Sequence, residues 1–216
     1  MVQHCKGGDS MELNEELDGY FDASFSRQVQ EAFVKCVIQS YAVAWEACKK
    51  YLTEEAHDLL GFQRWIELRS QLRGVGGRFS EIQTYTHPNG PAPSYHVVID
   101  SEKFILTVSS VPSPWIMPRP AIYRKEYAVQ SQLELFQQQL PNSKIFGLLI
   151  HGANPKDKSK PAFLQVRFPD RNYESYIQHN IDLFSRYEPL VRNLLGISEK
   201  KDLLPIHELS KKIGEK

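Results

Sequence analysis

Apolar residues at Phe25, Val29, Phe33, Val37, Tyr41, Ala44 and Cys48 recur every three or four positions, the spacing of a single helix face. They predict a helix over about 24–51, with Asp22, Ser24 or Ser26 available as its cap. Thr53-Glu54-Glu55 places a capping residue and two acids where a second helix begins, and acids there suit the helix dipole. Leu59, Leu60, Ile66, Leu68 and Leu72 form its apolar side, and Gly74-Val75-Gly76-Gly77 ends it.

From residue 78 the pattern changes to strand. Residues 78–87 form a weak strand, and the Pro/Gly-rich stretch 88–93 forms a loop. Residues 95–99 and 103–111 are rich in β-formers and are joined by Asp100-Ser101-Glu102, a hairpin by spacing. Pro112, Pro114, Pro118 and Pro120 then impose an irregular, stiff segment, because proline lacks an N–H and keeps its predecessor out of the helical region. A helix over 123–139 follows, with Tyr127, Leu133 and Phe136 inward. Residues 144–151 are nearly all apolar, as in a central strand buried on both faces, and 161–168 supply its hairpin partner. Ile177, Ile181, Phe184 and Tyr187 predict a last helix after Asn172, interrupted by Pro189 before 190–195.

This order predicts an α+β fold: an antiparallel or mixed five-stranded sheet with an N-terminal helical pair and C-terminal helices packed against it. The helices fit on one face of the sheet or on both. Residues 11–197 are expected to form one domain, with the helical pair at 22–73 and the sheet and its helices at 78–195. Residues 1–10 lack periodicity and are expected to be a disordered leader. Codons for Lys6-Gly7-Gly8-Asp9 can contain AAGGAGGTGA, which pairs with bacterial ribosomal RNA, so the sequence predicts a bacterial gene translated from Met11. Residues 198–216 form a lysine-rich tail in which Ile206, Leu209 and Ile213 could line a short helix.

The 26 Lys and Arg residues match the 26 Asp and Glu residues, so no general electrostatic grip on nucleic acid is expected. Cys5, Cys36 and Cys48 are too few for a disulfide framework, and no apolar run is long enough for a membrane span or signal peptide. A cytoplasmic protein without membrane partners is expected.

The chain has no HExxH, CxxC, GxSxG, P-loop or GxGxxG, and no metal site or cofactor is expected. The restriction-type nuclease template needs an acid followed by an acid-x-Lys on the next strand. Asp100-Ser101-Glu102-Lys103 has those residue types at the wrong spacing. His151 ends a buried strand, where a histidine can act as a base or form a structural hydrogen bond. Arg119 and Arg124 flank a proline-set turn and suit either phosphate recognition or a backbone clamp. Val166-Arg167-Phe168-Pro169-Asp170 adds a third arginine and an acid. His151, Arg119, Arg124 and Asp170 are therefore the catalytic candidates, provided they converge. Arg64, Arg69 and Arg73 could follow phosphates along the second helix, although nearby acids dilute their field. Trp115, Ile116 and Met117 stand on the proline-rich loop, where apolar residues are costly unless covered, and mark a protein contact.

Three segments together show a resemblance: 105–124, with its Pro118-Arg119-Pro120-Ala121-Ile122-Tyr123-Arg124 run; Gly147-Leu148-Leu149-Ile150-His151-Gly152; and Val166-Arg167-Phe168-Pro169-Asp170. They resemble small uncharacterised bacterial proteins that accompany toxin–antitoxin or mobile-element regulatory genes, over about residues 79–195. The resemblance implies an antitoxin, immunity or phage-defence regulatory component and transfers no catalytic residue. The leading expectation is a non-enzymatic protein that binds a toxin, a regulator or a second copy of itself. It would insert Trp115, Ile116 and Met117 in a partner groove and pair Arg119 and Arg124 with acids at the rim. The alternative is a small metal-independent nuclease or hydrolase, itself a toxin, with His151 as base and Arg119 and Arg124 holding phosphate. Nucleic-acid binding through the second helix is a third reading.

Overall fold

The computed structural model describes residues 9–51, 53–89, 95–136 and 144–197, with side chains from residue 15 onward except at 132–136. Three helices come first: α1 (Asp9–Ser24), α2 (Arg27–Cys48) and α3 (Thr53–Gly76). Strands β1 (Gln83–Pro88), β2 (Tyr95–Asp100) and β3 (Phe104–Ser110) precede α4 (Ile122–Phe136). Then come β4 (Ile145–Ala153), β5 (Pro161–Pro169), β6 (Tyr176–Asp182), α5 (Leu183–Arg186) and α6 (Glu188–Leu195).

The fold is α+β, and its sheet has six strands in sequential order, β1 to β6, where five were expected. Every neighbouring pair is antiparallel except β3 and β4, which run parallel from Phe104↔Ile145 to Ser110↔His151. A parallel pair needs a crossover, and α4 supplies it. Strands β3 to β5 lie in the middle of the sheet, which is why β4 is buried along nearly its whole length.

The predicted stripe of α2 is its buried face: Val29, Phe33, Val37, Tyr41, Ala44 and Cys48 are all closed off. Ser26 caps the helix by accepting from the Val29 N–H. One core joins α1, α2, α3, α5 and α6 to one face of the sheet through Phe104, Leu106, Leu149, Leu164, Val166 and Phe168. A second core lies on the other face, where Ala128 of α4 meets Phe146, Leu148, Ile150 and Phe163. Helices thus cover both faces.

Three expectations need correction. Asp9 and Ser10, assigned to a leader, begin α1, which buries Leu17 and Phe21; Phe21 meets Phe104 edge-on with ring centroids 5.7 Å apart. Residues 1–8 lie outside the described residues, as does the tail helix expected on Ile206, Leu209 and Ile213. The helix expected from Asn172 is instead β6, an edge strand, followed by two short helices. Pro189 sits in the first turn of α6, so the predicted interruption is the boundary between α5 and α6.

Among the described residues no helix is long and apolar enough to cross a membrane.

Candidate functional site

Residues alternate sides along each strand, so β3 and β4 sort the candidates between two faces. Phe104 and Leu106 of β3 belong to the core beneath α2, so Ile105, Thr107 and Ser109 turn toward α4. These α4-facing positions hold no acid and no lysine, so the nuclease template is unmet there. Asp100 instead pairs with Lys144 at 2.5 Å, and no three metal-ligating side chains come together among the described residues.

His151 belongs to the α2 side. Its Nδ1 shares a hydrogen bond of 2.9 Å with the Tyr41 hydroxyl, and the two rings meet edge-on at 5.6 Å. The Arg64 guanidinium lies over the Tyr41 ring at 4.5 Å and donates to the Lys158 carbonyl. His151 is 3% exposed. Burial, with the Arg64 charge behind it, pushes its pKa down to about 4, and burial pushes the Tyr41 phenol up to about 12. The imidazole is neutral and sealed, a structural hydrogen-bonding group with no open approach for a substrate.

Arg124, in the first turn of α4, works on the opposite face. Its Nη1 donates to the Arg119 carbonyl at 2.7 Å and its Nη2 to Ser109 Oγ at 2.6 Å. It thereby ties the proline-rich strap, residues 111–121, to β3. Arg119 contributes its carbonyl and leaves its side chain exposed. Asp170 accepts from the Glu174 and Ser175 N–H groups and from Ser175 Oγ, closing the β5–β6 turn in which Tyr173 adopts φ 58°. Burial raises the Asp170 pKa, but these hydrogen bonds outweigh it and hold the pKa below the ordinary carboxylate value. The four catalytic candidates therefore do not line one pocket: His151 faces α2, Arg124 faces α4, and Asp170 is spent on its own turn.

Further contacts pin the strap. The Val111 N–H donates to the His151 carbonyl at 2.9 Å, and the Tyr176 hydroxyl donates to the Ile116 carbonyl at 3.2 Å. Met117, expected at a partner contact, packs against the core under α4 and anchors the strap. Trp115 and Ile116 remain 58% and 48% exposed, and Ile122 just beyond them is 74% exposed.

Beneath Trp115 stands Arg167 of β5, which the sequence offered as a third arginine beside Asp170. Its guanidinium lies between two rings, 4.9 Å from the Trp115 centroid and 4.6 Å from that of Tyr176. Burial lowers its pKa. On the same face His96 of β2 stacks flat on Tyr123 at 3.6 Å, and its Nδ1 hydrogen bonds to Asn89 Oδ1 at 2.6 Å. Burial, then the nearby His87 and Arg124, lower the His96 pKa to about 4. Tyr173, close enough to sense Arg124, has its phenol raised by burial to about 12. No sequence motif marks His96, Tyr173 or Tyr176, and Thr107 and Tyr123 stood out only as members of the segment 105–124. These five lie on four different elements and the β5–β6 turn, and only the folded sheet brings them together.

The arginines proposed for nucleic acid do not act as a row. Arg64 points inward to Tyr41, and Arg69 covers the Trp65 ring at 4.2 Å. Only Arg73 lines the open cleft between the end of α3 and β1.

No protein-family model matches the chain, and neither does any curated protein or solved structure.

Proposed function

We propose that this chain is a non-enzymatic protein-binding protein that docks another protein on its proline-framed strap. The observation that carries this reading is the exposure of Trp115 and Ile116 side by side on a strap fixed by hydrogen bonds on both sides. A rigid aromatic on a pre-organised backbone loses little conformational freedom on binding, as hot-spot residues do. Ile122 widens the apolar patch and the Arg119 side chain supplies a cation at its edge. The partner segment this surface fits has apolar side chains followed by a carboxylate that meets Arg119. Relative to the sequence expectation, Met117 and Arg124 hold the strap while Trp115, Ile116, Ile122 and Arg119 meet the partner. The antitoxin, immunity or defence-regulatory setting in a bacterial cytoplasm belongs to the same proposal and rests on the resemblance of the three segments.

The test is a comparative capture with wild type, Trp115→Ala, Arg119→Glu and, as a remote control, Val43→Ala on α2. The expected result is one protein held by wild type and the control, lost with Trp115→Ala, and weakened by Arg119→Glu. Retention of every captured protein by Trp115→Ala overturns the reading. Self-association abolished by the same substitution assigns the surface to a second copy of the chain.

A further inference from the structure

Two arginines on the α4 face carry no counter-charge. Arg124 and Arg167 enter no ion pair among the described residues. Arg167 is 3% exposed, and its Nε and Nη1 are buried without hydrogen-bond partners; so is Arg124 Nε. One buried hydroxyl on the same face, Thr107 Oγ1, is also unpartnered, and the Tyr173 hydroxyl has the Arg124 side chain beside it. The nearby acids are engaged: Asp100 holds Lys144 and Asp170 holds its turn. Unpaired buried polar groups are rare because each carries its full desolvation penalty, and a buried cation carries more. Both arginines lie near enough to act on the Tyr176 phenol. Uncharged water could satisfy single N–H groups but would neutralise neither guanidinium.

We infer that the region between the strap, β3, β5 and the first turn of α4 is a binding site for a terminal phosphate group, free or esterified, gripped by Arg124 and Arg167 and capped by Trp115. Several side-chain donors from β3, β5, the β5–β6 turn and α4 suit a group with three terminal oxygens better than a planar carboxylate. Guanidinium forks pair with such oxygens bidentately, and the N-terminal turn of α4 adds a favourable dipole. Arg124 keeps both Nη atoms on Ser109 and Arg119 and offers Nε; Arg167 offers Nε and Nη1. These atoms are closed from solvent in this structure, so entry requires the exposed Trp115 side chain to swing off Arg167 while the strap backbone stays pinned. The inference does not depend on the strap's binding a protein.

The test uses the full chain with Trp45→Phe and Trp65→Phe, so that Trp115 is the one fluorophore. Inorganic phosphate is titrated at constant ionic strength, with sodium acetate and adenosine monophosphate in parallel. The expected result is a saturable change in Trp115 emission with phosphate and a matching rise in melting temperature. Arg167→Met is expected to weaken phosphate about tenfold or more, the loss that follows removal of a charge-assisted hydrogen bond. Adenosine monophosphate binding tighter than phosphate assigns a ligand whose ring rests on Trp115; equal affinity assigns the phosphate alone. Absence of saturation, or acetate binding as tightly as phosphate, overturns the assignment. If Arg167→Met does not fold, Tyr173→Phe decides, because it removes only a hydroxyl: weaker phosphate binding supports the site and unchanged binding overturns it.

Discussion

Tyr41 and His151 join the middle of the helical layer to the end of the central parallel strand, hydroxyl to Nδ1 at 2.9 Å. The pair is a buried polar bond in an apolar core, and its worth depends on both members being present and neutral. Tyr41→Phe leaves the His151 nitrogen unpaired, and the expected cost is about 1–3 kcal/mol of unfolding free energy, read by chemical denaturation at pH 7.5.

Acid should act through the same pair. His151 titrates near 4 when folded, below the ordinary 6.5, so the unfolded chain takes up the proton first. Stability is then level above pH 6.5, falls as the pH drops toward 4, and gains no further loss from this residue below that. His96 is lowered to the same value and adds to the slope. His151→Asn, which keeps a hydrogen-bonding group near Tyr41, should flatten the melting temperature against pH between 6.5 and 4. A slope equal to that of the wild type would show that His151 takes no part.

Gly76 closes α3 where β1 passes beneath it. A Cβ there would lie 2.7 Å from the Thr84 backbone nitrogen and against its hydroxyl. Backbone cannot yield as a flexible side chain can, so Gly76→Ala is expected to destabilise by about 1–3 kcal/mol. Gly61 on the same helix has open space around it, and Gly61→Ala should be neutral or stabilising, by up to ~1 kcal/mol. Paired thermal melts of the two variants check this.

Arg186 follows the last strand and reaches back to α1. It meets Asp22 at 2.5 Å, Asp18 at 3.0 Å and Gln30 at 3.1 Å, while the Tyr187 hydroxyl donates to the same Gln30 oxygen. Arg186→Met should leave Asp18 and Asp22 without their guanidinium, with the His179 ring 3.7 Å from Asp18 as the remaining neighbour. Faster amide exchange confined to α1, with β3 to β5 unchanged, is the expected readout.

Trp115 covers Arg167, so its removal has a cost even without a partner. A stacked guanidinium contributes about 0.5–2 kcal/mol, and Trp115→Ala should lower stability by no more than that. A larger loss would mean that the indole serves the core, and the docking proposal would weaken with it.

The helical stripe of α2 was legible because one buried face repeats cleanly over its whole length. The central strands were legible for a similar reason: β4 is apolar at almost every position, and Asp100-Ser101-Glu102 marks the β2–β3 turn. β6 was not. Ile177 and Ile181, four residues apart, fit one face of a helix as well as one face of a strand, and Phe184 already lies in α5; only hydrogen bonds to β5 decide between them. α1 was hidden although Leu13, Leu17 and Phe21 recur every four positions, because the cap residues Asp22, Ser24 and Ser26 placed the helix start later. Among the site candidates, the strap and its exposed tryptophan followed from the prolines and the apolar residues between them. The separation of His151 from Arg124 did not, because it depends on which way β4 faces after the crossover. The unpaired Arg167 could be noticed in sequence, but its isolation from any acid is a property of the fold.

The Arg186–Asp18 contact spans 168 residues of chain. A ribosome making about 5–20 residues per second needs roughly ten to thirty seconds to deliver the second member after the first. For that interval Phe21 of α1 and Phe25 just beyond its end have no arginine clamp to hold them on the sheet. A nascent chain stalled before Arg186 would therefore display a greasy, unlatched N-terminal helix, a handle for chaperones and proteases that the finished molecule conceals.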